Sequence, residues 1–78
     1  MKARIYVTLK KGVLDPQGKA IQRSLSHLGF DGVEEVRVGK FMEVRLGAMG
    51  REEAEKLLQD ACRRLLANTV IEDYRIEL

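Results

Sequence analysis

The chain has 78 residues, with 14 lysines and arginines, 12 aspartates and glutamates, and a formal net charge of +2. Because the two signs are mixed along the sequence, we expect a solvated surface and not the one-sided basic face of a nucleic-acid-binding domain. The single cysteine excludes an internal disulfide and indicates a reducing compartment. No apolar run reaches the ~18 residues of a membrane span, and no leader precedes the first strand pattern, so we expect a cytoplasmic protein without membrane contact.

The length predicts one domain near the lower limit for a self-sufficient core. With 45% hydrophobic residues the chain is globular in composition. A chain this short buries only about 60–65% of the surface that its unfolded form exposes. Oligomerisation would therefore be an easy source of further burial.

The first half of the chain is predicted to form a strand, a helix and a hairpin. Residues 3–10 alternate between apolar and polar side chains, which indicates a strand with one buried face. Helical spacing follows over residues 16–28, and Gly29 is expected to end that helix as a left-handed cap. Two further alternating runs, 36–38 and 42–46, are predicted as antiparallel strands joined by a tight turn.

A second helix and a last strand complete the predicted fold. The helix begins near Arg51, its apolar residues form one stripe, and residues 70–78 return to a strand. The order strand, helix, strand, strand, helix, strand predicts an α+β domain with the ferredoxin-like βαββαβ architecture, a four-stranded antiparallel sheet with both helices on one face. Tyr6, Thr8 and Ile71 would lie on the other face. Open faces and edges of such a sheet favour self-association, as a homodimer or higher oligomer.

The segment between the first strand and the first helix contains residues that a simple loop would not need. Asp15 can cap the helix by accepting from a backbone N–H, and Pro16 suits the first helical position because its φ is already set. Neither residue explains the apolar pair Val13 and Leu14 on a surface loop. An exposed apolar pair beside a rigid helix start predicts a docking surface.

Two glycines flank this helix start. Gly12 is expected to permit a positive φ where the first strand ends. Gly18 falls inside the first helical turn, where glycine costs roughly 1 kcal/mol relative to alanine, so we expect another backbone to approach it closely. The spacing of these glycines lacks the order of a phosphate-binding loop, so phosphate binding there is the weaker interpretation.

Few residues carry the chemistry of an active site. His27 is the only histidine and is expected on a solvated helix face, and Cys62 lies within the apolar stripe of the second helix as a buried thiol. Glu72 and Asp73 are adjacent in a strand and should point to opposite faces, which argues against a catalytic pair and favours a contact with a basic partner. We expect no active site in this chain.

Two segments, LKKGVLDPQGKAI at 9–21 and LLANTVIEDY at 65–74, closely resemble the PurS family. Residues 28–30 and 36–40 also stand where that family has similar residues, so the resemblance covers nearly the whole chain. Thr69 departs from the proline of many members, and a proline there would stiffen the approach to the last strand. PurS is the small subunit of the bacterial and archaeal phosphoribosylformylglycinamidine synthase complex.

The resemblance implies an accessory subunit. In such a complex a glutaminase subunit releases ammonia, and a large synthetase subunit uses ATP and magnesium to join it to phosphoribosylformylglycinamide in de novo purine synthesis. PurS is understood to have no catalytic role or cofactor of its own, and to bridge the two other subunits and help ammonia pass between them. The contacts that the resemblance implies fall on two sets of residues in this chain, namely Gly12, Val13, Leu14, Asp15, Pro16, Gln17 and Gly18, and Asn68, Ile71, Glu72, Asp73 and Tyr74.

A ligand- or RNA-binding module of the same fold is the alternative, because this topology carries many unrelated functions. RNA binding requires aromatic residues on the central strands, where the sequence offers only Phe41. A regulatory amino-acid-binding domain would need a loop at a dimer interface, and residues 12–17 could serve as one. Both readings are weaker than the accessory subunit.

Overall fold

The computed structural model describes all 78 residues and shows an α+β domain with one antiparallel sheet. The central strand β1 pairs with β2 on one side and β3 on the other, which gives the order β2-β1-β3. The second helix continues into a π-helical turn, in which Ala67 N–H donates to the Cys62 carbonyl at 3.0 Å. The elements are β1 (Lys2–Leu9), α1 (Pro16–His27), β2 (Lys40–Arg45), α2 (Arg51–Ala61), the π-helical turn (Cys62–Leu66) and β3 (Glu72–Glu77).

The core lies between β1 and α2, as the two sequence periods predict. Ile5 and Val7 of β1 are fully buried, and Leu58 and Cys62 meet them from the helix. Burial raises the pKa of the Cys62 thiol, which makes it less reactive. Partly buried side chains of β2 and β3 surround this cluster, among them Met42, Val44, Tyr74 and Ile76.

The sheet has three strands, whereas the sequence predicted four. Residues 36–38 have no regular secondary structure and join no strand, and the tight turn predicted near 38–41 is absent. The physical reason is that the Val38 N–H donates to the Asp15 carboxylate at 2.7 Å, while Val36 lies against Gly18 of α1. These contacts hold the segment beside α1 and away from the edge of β2.

The first helix also departs from the prediction, because it does not pack on the sheet. Residues 13–38 are called the arm below. The arm comprises the loop that follows β1, the helix α1, and the segment that returns to β2. The helix α1 has no substantial contact with the sheet or with α2. The molecule is therefore elongated, 49 Å in its longest dimension, with a radius of gyration of 16.1 Å. A compact domain of this length would have about 11–12 Å.

The face of the sheet opposite α2 is open. Tyr6 and Phe41 are neighbours there, with ring centroids 5.1 Å apart, and the Arg75 guanidinium lies 4.2 Å from the centroid of the Tyr6 ring. Tyr6 thus lies on the predicted face, but its ring is covered by Arg75 and is not free for base stacking. None of the helices combines the length and the apolar composition that a membrane span requires.

Candidate functional site

The two segments singled out in the sequence meet at one groove. The Lys10 N–H donates to the Ile71 carbonyl at 2.8 Å, which ties the end of β1 to the turn before β3. The groove that opens beside this contact has a volume of about 420 Å³. Its lining comprises Leu9, Val13, Leu14, Asp15, Pro16, Gln17, Val38, Gly39, Lys40, Ile71 and Glu72.

The groove combines apolar walls with one ion pair. Leu14 is 67% exposed and Ile71 is 39% exposed, so both present apolar surface to whatever enters. The Lys40 ammonium lies 3.7 Å from the Glu72 carboxylate. An apolar centre beside a small number of charges is typical of a protein-docking surface.

Asp15 fixes the geometry at the base of the arm. The residue is only 5% exposed, and its carboxylate accepts from the N–H of Gly18 at 2.9 Å and of Val38 at 2.7 Å. The first bond is the predicted helix cap. The second, which sequence reasoning missed, joins α1 to the returning segment. Gly18 behaves as predicted, because a Cβ there would overlap the Val36 carbonyl oxygen.

The same two bonds lower the pKa of Asp15 below its ordinary value of 3.8. The Gly18 N–H is the largest cause, followed by the Val38 N–H, and the Arg37 guanidinium adds a smaller effect, while desolvation opposes all three. Because the folded-state pKa lies below the unfolded one, the stabilisation is complete above pH 3.8. It is lost as the pH falls through the folded-state pKa.

Replacement of Asp15 by asparagine is expected to lower the urea midpoint at neutral pH, because the Asn amide group cannot accept from both N–H groups. The variant should also lose less stability than the native chain below pH 3.8, since it has no carboxylate at position 15 to become protonated. Urea unfolding followed by circular dichroism across this range tests both effects. Asp31→Asn, at an exposed carboxylate elsewhere in the arm, is the matched control. Parallel pH profiles for Asp15→Asn and the native chain would contradict this account.

Asn68 shapes the other wall of the groove. Its side-chain oxygen accepts from the Val70 N–H at 3.1 Å, and its carbonyl accepts from the N–H groups of Ile71 and Glu72 at 3.0 and 2.7 Å. The Glu72 carboxylate in turn accepts from the Asn68 N–H at 2.7 Å. These four bonds hold the turn closed without a proline at position 69. They also explain why β3 starts at Glu72 and not at residue 70, so that Ile71 belongs to the turn and lines the groove.

The remaining predicted residues lie outside the groove. The Tyr74 hydroxyl donates to Gln59 of α2 at 2.7 Å, so this side chain belongs to the helix side of the sheet. Asp73 pairs in register with Thr8 and is exposed, and Gly12 has a φ of +90°, as its position at the strand end predicted.

Four lining residues were missed by sequence reasoning, namely Leu9, Val38, Gly39 and Lys40. The alternation of the strand pattern is interrupted at 39–40, and this interruption could have indicated Gly39 and Lys40. A Cβ at Gly39 would lie 2.6 Å from the Val7 carbonyl oxygen, so only glycine lets this segment lie so close to β1.

The fold is a small α+β domain with an extended arm and a groove at the base of the arm. A family model described as PurS, phosphoribosylformylglycinamidine (FGAM) synthase, matches residues 2–78. The chain belongs to the PurS family. Among curated proteins it is similar to the phosphoribosylformylglycinamidine synthase subunit PurS of Synechocystis, with 52% identity over 96% of this chain and 75% of that protein. The PurS of Bacillus subtilis is 47% identical over 99% of this chain and 90% of that protein.

Solved structures share this shape. The crystal structure of B. subtilis PurS superimposes with a TM-score of 0.88 at 47% identity, over 97% of this chain and 94% of that one. A structure of PurLQS from Thermotoga maritima contains a chain that matches with a TM-score of 0.88 at 33% identity, over 97% of this chain and 93% of that one. Matches of this extent include the arm as well as the sheet.

Proposed function

We propose that this chain is the non-catalytic small subunit of a phosphoribosylformylglycinamidine synthase complex in de novo purine synthesis in the cytoplasm. Membership of the PurS family supports this role, since the curated relatives are named as subunits of that synthase. One structural relative, from Methanocaldococcus jannaschii, is described as a subunit of formylglycinamide ribonucleotide amidotransferase in the purine biosynthetic pathway. The glutamine-dependent ligase activity, with its ATP and magnesium, belongs to the assembled complex.

The groove is the proposed contact with the larger subunits, and it is the observation that carries this proposal. It joins the two segments that distinguish the sequence, and its most exposed apolar side chain is Leu14. A subunit seated there would cover Leu14 and Ile71. The ion pair between Lys40 and Glu72 at the edge would set its orientation.

Bridging of the glutaminase and the synthetase gives such a subunit a chemical purpose. Ammonia in bulk water at neutral pH is largely protonated and has lost its nucleophilic lone pair. A route between the two active sites that excludes water keeps the reactive form. In our proposal this chain holds the two subunits together and thereby helps ammonia to pass.

The sheet is the proposed site of homodimer formation. The outer edge of β2 is unpaired, and residues 33–39, which precede β2, form neither a helix nor a strand. The other edge, β3, carries charged residues at four of its six positions, Glu72, Asp73, Arg75 and Glu77, which discourages pairing there. Pairing of a second copy along β2 and residues 33–39 would supply the fourth strand of the ferredoxin-like arrangement.

Co-elution tests the assembly directly. The chain, mixed with the synthetase and glutaminase subunits from the same source, ATP, magnesium and glutamine, should elute with both on size-exclusion chromatography. A mixture without glutamine and nucleotide shows whether assembly depends on them. Elution of this chain at its own volume in every mixture would overturn the proposed function.

A further inference from the structure

Four basic residues lie at the end of the groove where the turn after β1 meets the start of β2. Lys10 and Lys11 belong to that turn, and Lys40 lines the groove itself. The Arg37 guanidinium donates to the Lys10 carbonyl at 3.2 Å, which places it beside the same turn. The Lys10 N–H in turn donates to the carbonyl of Ile71 in the apolar wall. One end of the groove is therefore basic.

Most of these cations have no carboxylate partner. Lys40 forms an ion pair with Glu72 at 3.7 Å, whereas Lys10, Lys11 and Arg37 form none. Basic residues elsewhere in the sheet, in α2 and in its π-helical turn are mostly paired within the chain. The paired ones are Lys2, Arg4, Arg51, Arg63, Arg64 and Arg75. Unpaired positive charge thus collects beside the groove.

The carboxylates of the groove do not cancel this charge. Asp15 compensates Arg37, whose positive charge helps to lower the Asp15 pKa. Glu72 compensates Lys40 and accepts from the Asn68 N–H as well. The excess positive charge is therefore carried by Lys10 and Lys11, the two adjacent lysines of the turn.

Other nearby carboxylates point elsewhere. Asp73 pairs in register with Thr8, so its side chain lies on the face of the sheet opposite α2, away from the groove. Glu34 and Glu35 line a neighbouring cavity of about 140 Å³ further into the arm, where Lys19 lies beside them. Neither group reaches the turn that carries the two lysines.

The turn and the apolar part of the groove would be covered by one partner segment. Lys11 precedes Leu14 in the same turn, and Lys10 is bonded to Ile71. A segment that seats an apolar side chain against Leu14 and Ile71 therefore carries its neighbouring residues over Lys10 and Lys11. Carboxylates at those positions would meet unpaired ammonium groups, whereas basic side chains would meet like charge.

We infer that the partner segment seated in the groove is acidic, with an apolar side chain flanked by aspartate or glutamate whose carboxylates meet Lys10 and Lys11. This inference rests on the proposed function, because the groove is the proposed contact with the larger subunits, and it specifies the chemistry of the partner. The same charges steer the approach of the partner and fix the direction in which its segment lies.

Zero-length cross-linking tests which charges meet. A water-soluble carbodiimide joins an amine to a carboxylate in contact with it, forming an amide while the carboxylate oxygen leaves on the reagent as a urea. The co-eluted complex with the synthetase and glutaminase subunits is treated with it, digested and analysed by mass spectrometry. The isolated chain, treated in the same way, identifies links within or between copies of this chain. We expect links from Lys10 or Lys11 to an aspartate or glutamate of a larger subunit.

Charge reversal gives an independent answer. Lys11→Glu is expected to weaken binding to the larger subunits by about 3- to 10-fold at low ionic strength, because an exposed ion pair is replaced by a repulsion of similar size. The difference should largely vanish in 1 M salt, where charges are screened beyond about 3 Å. Lys56→Glu on α2 is the matched control, since Lys56 is also exposed and unpaired and its reversal changes the net charge equally. Circular dichroism of each isolated variant checks that it is folded.

The outcomes separate this inference from the proposed function. Links from Lys10 or Lys11 to a larger subunit, with a salt-dependent loss of affinity for Lys11→Glu and not for Lys56→Glu, support it. Links that join Glu72 to lysines of a larger subunit overturn it, as do links from the two lysines only to a second copy of this chain. An affinity of Lys11→Glu equal to that of the native chain also overturns it. These three results leave the accessory-subunit role standing, whereas failure of the native chain to co-elute overturns the proposed function and the acidic partner together.

Discussion

Leu14→Asp is expected to weaken binding of this chain to its partner subunits by about 10- to 100-fold. Burial of a leucine side chain contributes about 1.5–3 kcal/mol, and each 1.4 kcal/mol is a factor of ten in affinity. The buried carboxylate of the variant would add a desolvation cost. Because Leu14 is 67% exposed in the isolated chain, the domain itself should remain folded.

A binding titration against the synthetase and glutaminase subunits measures this effect, with thermal unfolding of the isolated variant beside it. Leu14→Met is the matched control, since it keeps the apolar area and should bind nearly as well as the native chain. Unfolding of the isolated Leu14→Asp protein would mean that Leu14 belongs to the core. An unchanged affinity would mean that the groove is not the docking surface.

Gly18→Ala is expected to destabilise the protein by about 1–3 kcal/mol, the usual cost of forcing an atom into a packed site. Helix propensity alone would favour alanine by about 1 kcal/mol, so the sign of the effect discriminates between the two causes. We expect the steric effect to dominate, because the added Cβ would overlap a backbone carbonyl and not a movable side chain.

Urea unfolding measures the Gly18→Ala effect, and Gly47→Ala is the matched control because no atom lies within 4 Å of the position of its Cβ. The control should change stability little. If Gly18→Ala proved as stable as the native chain or more so, the segment at Val36 would be free to move away from α1, and Asp15 would not hold the arm together.

Local rules account for much of the fold. Alternation located β1, the apolar stripe located α2, and cap chemistry placed the start of α1 at Pro16 with Asp15 before it. The positive φ at Gly12 and the close approach at Gly18 also followed from single residues and their neighbours.

The fourth strand, which was predicted but is absent, shows what local sequence rules cannot predict. Residues 36–38 have the period of a strand but join no sheet, because period does not say which edge a strand would pair with. That choice depends on the second oxygen of Asp15, which binds the Val38 N–H 23 positions further along the chain. The two oxygens of a capping carboxylate can accept hydrogen bonds from two different segments. The sequence predicts only the bond to the helix that follows the cap.

Some residues of the groove could likewise be predicted from the sequence, and others could not. The apolar pair at 13–14 was recognisable because such side chains are unusual on a surface loop, whereas Ile71 was indicated only by the resemblance and was predicted on a strand and not in a turn. Lys40 has no such signature, since a lysine near the start of a strand is ordinary until its pairing with Glu72 is known. Tyr74 is similarly conspicuous in sequence, yet it bonds to Gln59 and stabilises the fold.

The most direct test of the account is synthesis of phosphoribosylformylglycinamidine by the large synthetase and glutaminase subunits from the same source, with and without this chain. Glutamine and free ammonia are supplied as nitrogen donors in parallel reactions. If this chain bridges the two subunits, glutamine-dependent synthesis requires it, whereas ammonia-dependent synthesis depends on it less. Equal glutamine-dependent rates with and without the chain would show that it does not bridge them.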